Sequence, residues 1–96
     1  MAKAYWISTY QSVRDPDKLA AYAKLATAAI DKAGARVVAR GQALKAYEHG
    51  LLERSVILEF DSVEAAVAMH DGPEYQAALA ALGDGAVRDL RIVPGV

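Results

Sequence analysis

RSVILEFDSVE, Arg54 to Glu64, carries the clearest structural signal in this chain. Val56, Leu58 and Phe60 alternate with Ser55, Ile57 and Glu59, and a two-residue period places each set on its own face of a β-strand. The pattern then changes. Asp61 followed three residues later by Glu64 resembles a capping box with aspartate as the capping residue, and Ser62 is a second helix-start residue, so a helix is expected to open here. It runs to His70-Asp71-Gly72. Gly72-Pro73 breaks it, and Pro73 takes the first position of a new short helix, where its missing N–H costs nothing. Glu74 suits the first turn of that helix, Tyr75, Leu79 and Leu82 follow at helical spacing, and Gly83-Asp84-Gly85 closes it. The break predicts a recess beside His70 and Tyr75.

Upstream, Tyr5 to Val13 alternates and holds aromatic and β-branched residues, which predicts a strand. Asp15-Pro16 supplies an N-cap and a first-turn proline for a helix to Ala33. Leu19, Tyr22, Ala26, Ile30 and Ala33 form its core face, and Gly34 stops it. Ala35 to Tyr47 reads as a second strand, bent at Gly41, followed by a turn at Glu48-His49-Gly50. Val87 to Val93 is the last strand, with Leu90 and Ile92 on one side and Asp89, Arg91 and Val93 on the other.

The order strand, helix, strand, strand, helix in two pieces, strand is the split βαβ arrangement. It predicts one α+β, ferredoxin-like βαββαβ domain, with a four-stranded antiparallel sheet and helices on one face. The other face needs cover, and a second copy of the chain would supply it. Composition agrees: in 96 residues, 54% are hydrophobic, much of this alanine, more apolar surface than so small a core hides.

Twelve acidic residues against 11 basic ones give no field to gather nucleic acid or anionic membrane. No cysteine is present, which excludes disulfides, thiolate nucleophiles and cysteine zinc sites. The opening MAKAYWIS lacks the apolar core of a signal peptide, and no apolar run approaches the roughly 20 residues that span a bilayer. A cytoplasmic location is expected.

Tyr5-Trp6-Ile7, Asp15-Pro16 with Tyr22, Arg40-Gly41, Glu59-Phe60-Asp61-Ser62 and above all Gly72-Pro73-Glu74-Tyr75-Gln76 resemble, in order and spacing, domain-of-unknown-function family 1330 of the dimeric α/β-barrel superfamily. The resemblance covers nearly the whole chain. It implies a ferredoxin-like protomer whose open sheet face pairs with another protomer's to close a barrel. It brings no settled reaction, since the wider superfamily includes cofactor-free monooxygenases, haem-degrading enzymes, isomerases and dehydratases. The chain departs from the family pattern at Leu82, where an arginine is common, at Pro94, where a glutamate is common, at Gln42, where glycine is, and at Leu51, where tryptophan is.

Glu59 is the leading candidate for chemistry, because its strand is central in this topology and alternation points it away from the helices. Poorly solvated and unpaired, it would act as a general acid or base; paired with arginine, it stays ionised and structural, and the second role is the more common. Arg36 and Arg40 share one parity on the neighbouring strand. Arg40 either holds a substrate carboxylate or holds Glu59. His70 is a candidate acid or base if it faces the recess, and otherwise complements a helix C-terminus. His49 lies in a solvated turn. Tyr22 and Tyr75 aim hydroxyls into a pocket or pack in the core; Trp6 and Tyr10, on one strand face, line a ligand cavity or the subunit contact, and for Trp6 packing is the favoured role. Two isolated histidines make no metal motif, so neither metal nor cofactor is expected. The serines lack a nucleophile pattern, and the glycines form no phosphate loop.

These readings predict an uncharacterised homodimer that binds a small carbonyl or carboxylate metabolite, with Glu59, Arg40 and His70 for metal-free isomerase or lyase chemistry and Trp6, Tyr22 and Tyr75 for binding. The alternatives are a non-catalytic dimeric domain and, by superfamily analogy, a cofactor-free monooxygenase.

Overall fold

In the computed structural model, which describes residues 2–96, the row Val56, Leu58 and Phe60 packs under helices while Ser55, Ile57 and Glu59 face away from them. The elements are β1 (Ala4–Val13), α1 (Pro16–Ala33), β2 (Arg36–Gln42), β3 (Arg54–Phe60), α2 (Val63–Asp71), α3 (Pro73–Leu82) and β4 (Ala86–Pro94). The sheet order is β2-β3-β1-β4, antiparallel throughout. This is the ferredoxin-like topology expected from the element order, with all three helices on one face.

The helix ends follow from local chemistry. Asp15 accepts from the backbone N–H groups of Asp17 and Lys18 at 3.0 and 3.2 Å, and Gly34 at φ 72° ends α1 in the left-handed conformation that glycine tolerates. The cap of α2 is Ser62, which accepts from Ala65 N–H at 3.1 Å. Asp61, expected as the capping residue, instead bonds Arg36 at 3.2 Å. A serine hydroxyl one residue later reaches the first turn equally well, and a guanidinium is the stronger partner for the carboxylate. Gly72 separates α2 from α3; a methyl group there would meet the Ala68 carbonyl oxygen at 3.1 Å.

The core lies between helices and sheet, built from Trp6, Leu58 and Phe60 below and Tyr22, Ala26, Ala29, Met69, Tyr75, Ala78 and Leu82 above. Trp6 meets Tyr75 edge-on at 5.0 Å and Phe60 at 6.0 Å. Ala29 rather than Ala33 completes the buried stripe of α1. Alanines at 26, 29, 66 and 78 are almost wholly buried and let the helices sit close. The molecule is therefore only 15 Å through its thinnest dimension, two layers deep.

The second strand departs from expectation twice. It ends at Gln42, because Leu44 and Tyr47 are 95% and 75% exposed and have no facing strand to pair with. Its irregularity falls at Val38, between the pairs Val37–Leu58 and Ala39–Ile57, rather than at Gly41. An extra residue in one strand inverts the facing of everything beyond it. Arg36 therefore lies opposite Glu59 on the open face, whereas Arg40 lies opposite Val56 on the helix face. The two arginines do not share a face.

Tyr5, Ile7, Ile57, Ala39 and Val93 lie on the sheet face that no helix covers. Among the described residues, no helix is long and apolar enough to cross a membrane.

Candidate functional site

Strand β1 presents Trp6, Ser8 and Tyr10 in succession to the helices, all buried. Serine between two large aromatic residues leaves a gap. The resulting cavity of about 50 Å³ lies over Ser8, between Val56 and Leu58 of β3, Tyr22 and Ala26 of α1, and Tyr75 of α3. A single water needs about 10–15 Å³, so several water-sized groups fit.

Its polar lining is one-sided. Arg88 from β4, Arg54 from β3 and Arg40 from β2 all reach it, and among the described residues no aspartate or glutamate does. Arg88 donates through Nη1 to Tyr22 Oη at 2.9 Å and through Nη2 to Tyr75 Oη at 2.6 Å, and the two hydroxyls are 2.7 Å apart. Each phenol has one proton. One hydroxyl donates to the other, and the second keeps a proton with no acceptor in this cluster. Ser8 Oγ, in a residue only 1% exposed, has no hydrogen-bond partner, and neither does the buried Nε of Arg54. Leaving such groups unsatisfied costs about 1–3 kcal/mol each.

Burial, and then the neighbouring Tyr75 oxygen, push the Tyr22 phenol far above its ordinary value despite the opposing pull of Arg88, so it remains a neutral donor. Burial opposes the charge on Arg88, but the two phenol oxygens outweigh it and raise its pKa. The guanidinium carbon stands 4.8 Å from the Tyr22 ring centre and 5.8 Å from that of Tyr10, and Arg54 lies 6.0 Å from Tyr10.

Trp6, Tyr22 and Tyr75, the expected binding residues, thus line one cavity, and Arg40 reaches its exposed rim. Glu59 and His70 are elsewhere. Glu59 sits on the open face, where it accepts from Arg36 Nε at 2.7 Å and from Tyr5 Oη at 2.9 Å. Arg36 first, then the Tyr5 hydroxyl, hold its carboxyl below the usual carboxylate range. The expected Glu59–Arg40 pair is replaced by Glu59–Arg36 because of the extra residue at Val38. Asp61 joins this cluster through Arg36 and Lys3.

His70 packs against Trp6 and Tyr75, with ring centres 5.8 and 5.3 Å away, and its Nδ1 lies 3.0 Å from Asp71 Oδ1. It borders a separate hollow of about 240 Å³ with Val67, Leu90 and Ile92. A recess of about 410 Å³ does lie at the helix break, against Gly72, Pro73 and Glu74, with the Lys32–Glu74 ion pair at its side. Neither His70 nor Tyr75 lines it, because Tyr75 turns inward to the sheet and is 1% exposed.

Arg88, Arg54 and Ser8 were not among the expected site residues. Strand parity carried the signal: Arg88 shares a face with Leu90 and Ile92, and Arg54 with Val56 and Leu58. A charged residue in an apolar row is a candidate for buried binding.

Residues 3–96 match the model of the Domain of unknown function (DUF1330). The chain belongs to the DUF1330 family. None of the curated proteins compared matches it. Among solved structures, a protein of unknown function from Rhodopseudomonas palustris is 21% identical, with 99% of this chain and 83% of that one covered and a TM-score of 0.76. A proposed antibiotic biosynthesis monooxygenase from Caulobacter crescentus is 17% identical, with 99% and 91% covered and a TM-score of 0.63. A dimeric protein of unknown function with a ferredoxin-like fold from Bacteroides fragilis is 16% identical, with 96% and 95% covered and a TM-score of 0.59. At these identities the neighbours show that this DUF1330 chain has a ferredoxin-like fold.

Proposed function

We propose that the protein binds a small organic acid in the cavity above Ser8, with the carboxylate held by the arginine and hydroxyl donors. The supporting observation is the one-sided lining: guanidinium and hydroxyl donors, with Ser8 Oγ and Arg54 Nε unpartnered and no carboxylate facing them. An anion supplies the acceptors that this lining lacks. The same donors would stabilise negative charge developing on a ligand oxygen, as an enolate does. Among the described residues no carboxylate or imidazole lines the cavity, so proton removal from such a ligand is not offered by these residues; binding and charge stabilisation are. Glu59 is read as a structural ion-pair member and His70 as a packing residue.

The test is a thermal-shift titration with short-chain carboxylic acids, each set against its uncharged amide, on wild type and Glu59→Gln. Acids are expected to stabilise both proteins alike, by about 1.4 kcal/mol at ten times Kd, and amides neither. If no acid stabilises the wild type, the organic-acid reading fails. A folded Glu59→Gln that no longer responds would move the site to the open face.

The same reading includes a homodimer through the uncovered sheet face, where Ile7, Ile57 and Val93 otherwise meet water and ionic residues ring them. Light scattering at micromolar concentrations is expected to give twice the protomer mass; a monomer throughout that range would end the dimer proposal.

A further inference from the structure

Among the described residues, the ion pairs engage Lys3, Lys18, Lys32, Arg36 and Arg91 but none of Arg40, Arg54 and Arg88. These three arginines all reach the cavity; Arg14, also outside the ion pairs, does not line it. Arg88 is bonded only to neutral phenols, which solvate its charge without cancelling it. One monoanion would leave the cavity strongly positive, at a depth where charge is costly.

The placement of the charges is also specific. Tyr10 pairs with Arg88 on β4, and β3 runs along its other side, so Tyr10 stands between Arg88 and Arg54. Two strand spacings, about 10 Å, separate the two arginine backbones. Both guanidinium groups lean toward the Tyr10 ring, at 5.8 and 6.0 Å from its centre. The apolar Tyr10 ring stands between them, and apolar Ala26 and Val56 line the same cavity. Two positive ends with an apolar middle suit two anionic groups joined by a short carbon chain. A compact tetrahedral anion would satisfy one end and leave the other bare.

We infer that the ligand is a short dicarboxylate, with one acid group on Arg88 and the Tyr22–Tyr75 hydroxyls and the other on Arg54 and Ser8, and with Arg40 at the mouth. This rests on the organic-acid reading of the cavity and narrows it. The experiment titrates the full chain with succinate, butyrate and inorganic phosphate at constant ionic strength, followed by NMR chemical shifts. Succinate is expected to bind at least tenfold more tightly than butyrate or phosphate. In Arg54→Gln that preference is expected to fall to about twofold with butyrate binding retained, and Arg54→Lys is expected to restore part of it. Equal wild-type binding of butyrate and succinate would overturn the dicarboxylate inference and leave the organic-acid reading standing. Phosphate matching succinate would overturn it in favour of an oxyanion site. Absence of binding by either organic acid would remove both readings.

Discussion

Trp6→Ala is expected to lower the stability of the protein by about 3–5 kcal/mol, the usual cost of emptying a core position of a large aromatic side chain. For a domain of this size that is a fall of roughly 15–30 °C in Tm. The Trp6 ring meets Phe60 in a stack, Tyr75 edge-on and His70 at a tilt, while the residue itself is 2% exposed. A loss near 4 kcal/mol is a large part of the 5–15 kcal/mol available to a small domain. Calorimetry on Trp6→Ala and the milder Trp6→Phe should therefore order them clearly. A drop under about 5 °C for the alanine variant would contradict this packing.

The second large effect concerns binding. Arg88→Leu removes the charge that bridges Tyr22 and Tyr75, while the hydroxyl pair at 2.7 Å survives as a weaker, neutral donor. Losing a buried charged partner typically costs a complex about 2–5 kcal/mol, so carboxylate affinity should fall at least about 30-fold. Arg88→Lys should recover part of this, since an ammonium restores the charge but not the two-armed reach to both phenols. Stability should change less than in Trp6→Ala, because the introduced leucine side chain would sit in the apolar row with Leu90 and Ile92. Affinity within threefold of wild type in a folded Arg88→Leu would remove Arg88 from the site.

The fold was legible because its signals are local and periodic. Alternation in Arg54–Phe60, the Asp15-Pro16 start of α1 and the Gly72-Pro73 break each act within a few residues, and these three features formed where their patterns stood, whereas β2 stopped short at Gln42. The tyrosines of the site were legible for the same reason, as apolar-stripe residues with a polar tip. Pairing across strands was not. Whether Arg36 or Arg40 meets Glu59 depends on one unpaired residue, Val38, and β-branched valines at 37 and 38 fit a regular strand as well as an irregular one. The cavity itself is defined by Ser8 being small between two aromatic residues whose partners lie far away in sequence, Tyr75 being 69 residues from Trp6. No window along the chain reveals such a vacancy.

The extra residue in β2 acts as a sorting device for charge. Deleting Val38 would leave every pair as it stands, but drawing Val38 into the ladder opposite Leu58 would carry Arg36 to the helix side, opposite Phe60, while Arg40 stays opposite Val56. The guanidinium would then be withdrawn from Glu59 without any codon for a charged residue having changed. For a lineage of such proteins, a one-residue shift in the pairing of this edge strand is thus a larger chemical step than many substitutions, because it redistributes positive charge between the two surfaces of one sheet while preserving the composition that builds it.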